Sequence, residues 1–281
     1  MSQQSARFGV ERMCKTLEVS KSGYYAYKLR PKNKREIERA ELLKEIKIVF
    51  KSSRELYGSP RITAALLSKG IQCNKKRIAR IMHNNGIKAK TVRKYKATTN
   101  SKHKLPVASN LLNQKFEAKD PNKVWTGDIT YIWTKKGWLY LAIVLDLYSR
   151  RVVGWHIDNY MTKELVIKAL KKAVVSRKLN PNIIFHSDQG IQYASNEFRS
   201  VLSNEGIEQS MSRKGNCYDN AVSESFFHTL KTELVYFEKY DSREDAKLSI
   251  FEYIEVYYNR NRIHSSIGYK SPAQFENETM T

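Results

Sequence analysis

The spacing of apolar and polar positions divides the chain into two textures. Up to about residue 90, apolar residues recur at helical intervals. Val10, Met13, Cys14 and Leu17 mark the first of two short helices within 10–29, and Ser20 is placed to cap the second. Ile37, Leu42, Leu43, Ile46, Val49 and Phe50 predict a helix over about 34–51. Ser59-Pro60 reads as another start, with Ser59 as cap and Pro60 in the first helical position, and Gly70 as the stop. Asn74 heads a further helix over about 75–85, with Ile78, Ile81 and Met82 on one face.

From residue 121 the period changes. Val124 to Thr134 alternates and is rich in Trp, Thr, Ile and Tyr, so it reads as a strand. Lys136-Gly137 makes a turn, Trp138 to Asp146 a buried strand, and Arg151 to Asp158 a third. A helix over 162–178, a short strand at Ile183-Ile184-Phe185, a helix over 194–204 and a strand over 207–211 follow. Two more helices are expected over 218–237 and 242–258. Three strands in meander, then alternating helices and strands, predict a mixed five-stranded α/β sheet with helices on both faces.

Charge sharpens this division. The net charge is +22, and residues 1–120 carry 29 Lys and Arg against 9 Asp and Glu. The rest of the chain carries 21 against 19. A segregated excess of this size points to a polyanion, nucleic acid before membrane lipid. No apolar run approaches the roughly 20 residues of a membrane helix, and the first 20 residues hold no signal-like apolar stretch. The expectation is a cytoplasmic, nucleoid-associated protein without a membrane partner. Three scattered cysteines give neither a disulfide framework nor a zinc ribbon.

Residues 1–55 read as an N-terminal helical segment with a short helix-turn-helix, and 56–90 as a second helix-turn-helix that binds DNA. In that unit Lys75, Lys76, Arg77 and Arg80 crowd the start and outer side of the second helix, the one that would enter a major groove. Arg61, in the first helix of the pair, joins them as a candidate contact to double-stranded DNA. Residues 91–119 read as a basic linker, and 120–281 as a catalytic core.

Three acids stand out in that core. Asp128 lies mid-strand, where Asp is disfavoured. Asp188 directly follows a buried strand, where ligands gather in open α/β sheets. Glu224 sits near the start of the helix expected over 218–237. There Asn220, Glu224, His228 and Lys231 form a polar stripe, and Val222, Phe226, Leu230, Leu234 and Phe237 an apolar one. Two carboxylates about 4 Å apart repel by on the order of 4 kcal/mol at an effective dielectric near 20. Divalent cations remove that cost, and a pair of them can clamp an in-line displacement at phosphorus. Asp146, Asp158 and Asp219 are rival acids, Asp146 as a supporting group. His186 and His228 are expected to pack or hydrogen-bond near the site.

Four spaced blocks carry a resemblance. Trp125-Thr126-Gly127-Asp128-Ile129-Thr130-Tyr131-Ile132, continued by Leu145-Asp146-Leu147-Tyr148-Ser149-Arg150, resembles the first catalytic block of retroviral-integrase-like DDE transposases. His186-Ser187-Asp188-Gln189-Gly190 resembles the second, and Ser212 to Ala221 leading to Glu224-Ser225-Phe226-Phe227 the third. Thirty-five residues separate Asp188 from Glu224, as in that family. Tyr258-Asn259-Arg260 with His264, and Ser271-Pro272, match its C-terminal tail. The whole chain resembles the IS-three family of bacterial insertion sequences.

The resemblance implies an RNase H-like catalytic fold. It further implies two Mg²⁺ ions, replaceable by Mn²⁺, held by Asp128, Asp188 and Glu224. The implied activity is metal-dependent cleavage and strand transfer at element ends, by a copy-out, paste-in route through a circular intermediate. Lys231 matches a basic residue near the DNA end, and with Asn220 it would position the terminal phosphate. A homo-oligomer on DNA is implied, as is an upstream OrfA-type product joined by frameshift. The chain is expected to be the downstream product of that pair. Two alternatives share these residues: an RNase H-like nuclease without joining activity, and a non-catalytic DNA-binding regulator of the element.

Overall fold

The computed structural model describes residues 8–29, 33–90, 106–113, 118–177, 179, 181–213 and 221–279. The helical period of the first part is realised as α1 (Val10–Thr16), α2 (Lys21–Leu29), α3 (Lys34–Ser52), α4 (Ser59–Ser68) and α5 (Lys75–Asn84). Their starts follow the expected capping chemistry. Ser20 Oγ accepts from Gly23 N at 2.9 Å, and Asn74 Oδ1 accepts from Arg77 N at 2.8 Å. Asn33 and Glu36 form a reciprocal capping box on α3. Helix α4 departs from expectation: its cap is Gly58, and Ser59 already lies inside the first turn beside Pro60. Gly70 ends that region at φ +79°, which favours a residue without Cβ.

The sheet contains β1 (Val124–Thr134), β2 (Gly137–Asp146), β3 (Val152–Asp158), β4 (Ile183–Ser187) and β5 (Ile207–Met211). Its order is β3-β2-β1-β4-β5, with the first three strands antiparallel and β4 and β5 parallel to β1. This is the RNase H-like mixed sheet that the resemblance implies. The β1–β2 hairpin is long, pairing Trp125 with Asp146 at one end and Thr134 with Gly137 at the other. By contrast, β4 runs beside β1 only at Val124, Trp125 and Thr126. Beyond Thr126 the two strands part, and the site lies at that divergence.

Both faces of β2 are covered, which explains its unbroken apolar run. On one face Ala142, Val144 and Val153 pack under α6 (Lys163–Ser176), with Phe185, Tyr193, Phe198 and Leu202 completing the layer. Gly154 permits this approach, because a Cβ there would stand 2.4 Å from Ala169 O. The last two side chains belong to α8 (Asn196–Asn204), which follows the single turn α7 (Ile191–Ala194).

The other face takes Ile132, Leu139, Leu141 and Ile143 against α9 (Ala221–Glu233) and α10 (Arg243–Phe251). Two expected helices end differently here. Helix α9 stops at Glu233 and gives way to a 3-10 turn over Val235–Phe237, leaving Phe237 exposed instead of on the apolar stripe. Helix α10 widens into π turns over Glu252–Tyr258. That change of pitch lets Tyr253, Ile254, Tyr257 and Tyr258 all point inward. A final helix, α11 (Pro272–Thr279), was not foreseen. Its buried Glu276 accepts bonds from Ser149, Arg151 and Arg177 at 2.7, 2.7 and 2.8 Å.

The helical part and the sheet share one apolar cluster, running from Leu42, Ile46 and Ile62 to Tyr253 and Tyr257. Polar bonds cross the same seam. Tyr57 Oη donates to Asn261 O at 3.3 Å and accepts from Ile263 N at 2.9 Å, while Tyr257 Oη donates to Ser53 O at 3.3 Å.

Candidate active site

Asp128 stands two residues past the last β1–β4 pair, and Asp188 is the first residue after β4. The divergence of the two strands therefore delivers both carboxylates to one cavity of about 570 Å³. Tyr131, Trp138, Met161 and Tyr193 also line it. Each Asp is fixed by its own backbone: Asp128 Oδ1 accepts from Ile129 N at 2.8 Å, and Asp188 Oδ1 from Gly190 N at 2.9 Å. Two glycines make room. A Cβ on Gly127 would lie 2.4 Å from Phe185 Cζ, and one on Gly190 would lie 2.9 Å from Asp188 Oδ1.

Glu224 comes from α9, exposed on the solvent side of its first turn. A buried bond of 2.7 Å between Thr126 Oγ1 and Ser223 Oγ ties that turn to β1. Electrostatics link the three acids. Burial pushes the Asp128 carboxyl well above the usual carboxylate range, and the charges of Asp188 and Glu224 push it further. Burial and Asp188 likewise raise Glu224. Among the described residues, no three His, Cys, Asp or Glu side chains stand close enough to hold an ion. Two aspartates thus share a cavity, with a glutamate whose charge acts on them.

Lys231 lies on α9 two turns beyond Glu224 and is only 4% exposed. Its ammonium sits 4.9 Å from the Tyr131 ring centroid. Burial lowers its pKa, while Tyr131 and Asp128 draw it back up. Tyr193 lies buried behind the aspartates, and its hydroxyl has no hydrogen-bond partner among the described residues. Burial and the charges of Asp128 and Asp188 keep that hydroxyl protonated. The donor set of carboxylate oxygens suits a hard divalent cation better than zinc.

The other candidates fall in several places. Lys75, Lys76, Arg77 and Arg80 are exposed on α5. Arg61 instead faces Glu233 at 3.4 Å and stacks on Tyr57 at the seam. Asn220 and Asp219 lie outside the described residues. Asp146 is fully buried and accepts from Asn122 N and Tyr148 N at 2.9 and 3.0 Å; burial raises its pKa to about 6. Asp158 pairs with Lys168 at 3.8 Å, away from the cavity lining. His186 is buried against Ser210 Oγ at 2.8 Å, a hydrogen-bonding role as expected. Sequence reasoning missed Trp133, Trp138 and Tyr236, large rings left partly in water beside the site. The available signal was two aromatic residues, Tyr131 and Trp133, on one face of a strand that is followed by Lys135-Lys136.

Two integrase core domain models match this chain, over residues 118–217 and 224–280, and an HTH-like domain model matches 36–95. Sheet order and these matches define an integrase-type core joined to a helix-turn-helix unit. Transposase InsF for insertion sequence IS3A, from Escherichia coli (strain K12), is 42% identical over 282 residues, 100% of this chain and 98% of the relative. The insertion element IS600 uncharacterized 31 kDa protein of Shigella sonnei is 44% identical, across 94% of this chain and 97% of its own. The chain belongs to the IS3 family of insertion-sequence transposases and is a DNA transposase. Solved structures similar to it include the HTLV-2 integrase catalytic core domain in complex with magnesium, at 18% identity and TM-score 0.42, covering 55% of this chain and 96% of that one. A simian T-cell lymphotropic virus intasome in complex with PP2A regulatory subunit B56 gamma gives 18% identity and TM-score 0.48, covering 82% and 73%.

Proposed function

We propose that Asp128, Asp188 and Glu224 hold two Mg²⁺ ions, or Mn²⁺ in their place, for strand cleavage and strand transfer at element ends. The observation that carries this reading is the delivery of Asp128 and Asp188 to one cavity where β4 leaves β1. Bound cations would polarise the phosphodiester and acidify the attacking water or 3′-hydroxyl. The protein's own part is placement. Backbone N–H groups of Ile129 and Gly190 orient the aspartates. Glu224, already within the field of Asp188, would be the third ligand, and Lys231, beside Tyr131, would take the terminal phosphate with Asn220.

The chain divides by role: a helical segment over 1–55, a DNA-binding unit over 56–90, a basic linker over 91–119 and the catalytic core over 120–281. The exposed Lys75, Lys76, Arg77 and Arg80 of α5 enter the major groove of the element end. Arg61 joins them once DNA replaces Glu233 as its partner. The active assembly is a homo-oligomer on DNA that includes an upstream OrfA-type partner. Among the described residues no helix is long and apolar enough to cross a membrane, and a chromosomal substrate puts the chain in the cytoplasm at the nucleoid.

A labelled element end incubated with target DNA and Mg²⁺, with the upstream partner supplied, tests this reading. Joined product that disappears with chelator or with Asp188→Asn is expected. Cleavage without joining would instead indicate a nuclease, and binding without either step a regulator.

A further inference from the structure

Beside the carboxylate cavity lies a second one, of about 490 Å³, to which the steps above assign no role. It opens between the far half of β1, Trp138 of β2 and the 3-10 turn that follows α9. Tyr131 and Trp138 line both cavities, so the two adjoin. Three rings stand in a ladder: Tyr131 and Trp138 have centroids 5.1 Å apart at 89°, and Trp133 and Trp138 4.8 Å apart at 71°. Trp133 is 58% exposed and Trp138 43%. Large rings left in water in one patch mark a binding surface.

The charge at this patch narrows the occupant. Lys135, Lys231 and Lys239 line the cavity, against Glu238, and Asp241 pairs with Lys135. A groove that combines cations with stacking rings suits a single-stranded nucleotide, whose phosphate meets the ammonium groups and whose base meets the rings. A base inside a duplex is stacked on both sides and offers no face to a ring. An unpaired nucleotide, free to turn its base onto the rings, suits the groove better than one held within the duplex stack.

We propose that this cavity receives an unpaired nucleobase of the DNA end, next to the phosphodiester presented to the carboxylates. The inference rests on the transposase reading. It gives the reaction a splayed terminus, with the stacked base fixing how far the strand enters.

Two duplexes of one sequence test it, one blunt and one with three unpaired terminal nucleotides, the middle one being 2-aminopurine. With the full-length chain, the tailed duplex is expected to bind roughly tenfold tighter than the blunt one, and the 2-aminopurine fluorescence to be quenched by stacking. Trp133→Ala should abolish both differences, and Trp133→Phe, which keeps a ring, should retain most of each. Equal affinity for the two duplexes, while the wild-type chain still joins DNA, would overturn this inference alone. Failure to bind either duplex would overturn it together with the transposase reading. If Trp133→Ala removed self-association and left the quench intact, the patch would be a contact between copies, and the inference would fall.

Discussion

Thr126 and Ser223 share a buried hydrogen bond of 2.7 Å between the strand that carries Asp128 and the helix that carries Glu224. It is a direct polar tie from β1 to the first turn of α9, one residue before Glu224. It sets where the glutamate stands relative to the aspartates.

Ser223→Ala removes this bond from the buried Thr126 hydroxyl, at a cost of about 0.5–1.5 kcal/mol. A double variant, Thr126→Val with Ser223→Ala, replaces both partners by apolar groups and should recover most of that stability. Strand transfer should stay reduced in the double variant, because the tie to Glu224 is still missing. Thermal melts beside joining assays check this. Full activity in a stable double variant would show that the bond has no positioning role.

Glu233 makes two bonds of 2.7 Å to the buried Arg262 and accepts from Tyr253 Oη at 2.9 Å. Arg61 of the helical unit reaches the same carboxylate at 3.4 Å. Glu233→Gln should destabilise the fold by roughly 3–5 kcal/mol, since it strands a buried guanidinium. Limited proteolysis should then release the helical unit from the core earlier than in the wild type. An unchanged digestion pattern would mean that the apolar cluster alone holds the two together.

Glu276 gives a pH dependence. Burial pushes its carboxyl up, but bonds from Arg177, Ser149 and Arg151 outweigh that and hold it below its ordinary value of 4.5. A depressed folded pKa stabilises above the unfolded value, and the gain is lost as pH falls through the folded one. Glu276→Gln should therefore lower the melting temperature most at neutral pH, by an amount worth about 3 kcal/mol. The gap to wild type should narrow once pH drops below about 4.5. A gap that widened on acidification would contradict the assignment.

How far the sequence carried this picture depends on the range of the interaction. Alternation along Val124 to Thr134 and the unbroken run of β2 gave the hairpin, because strand patterning reflects which faces are covered. Asn33 and Asn74 cap their helices through local bonds, although the sequence reading used only Asn74. Asp128 and Asp188 were legible as acids in unusual places, and strand divergence explains why they meet. Arg61, expected as a contact to DNA, pairs here with Glu233, 172 residues away, which no local pattern encodes. Lys231 was assigned to a polar stripe, yet Tyr131 shelters it at the end of the diverging strand. Helix α11 stayed hidden because its anchor, Glu276, draws its partners from Ser149, Arg151 and Arg177.

Asp128 and Asp188 in one cavity, with Glu224 beside it, are proposed to hold the metal ions together. Mn²⁺ titration of the DNA-bound full-length chain, followed by electron paramagnetic resonance, tests this most directly. Two ions per chain are expected for the wild type, with at least one lost in each of Asp128→Asn, Asp188→Asn and Glu224→Gln while DNA stays bound. Unchanged Mn²⁺ stoichiometry in any of the three variants would contradict the assignment of that residue, and in all three it would contradict the shared site.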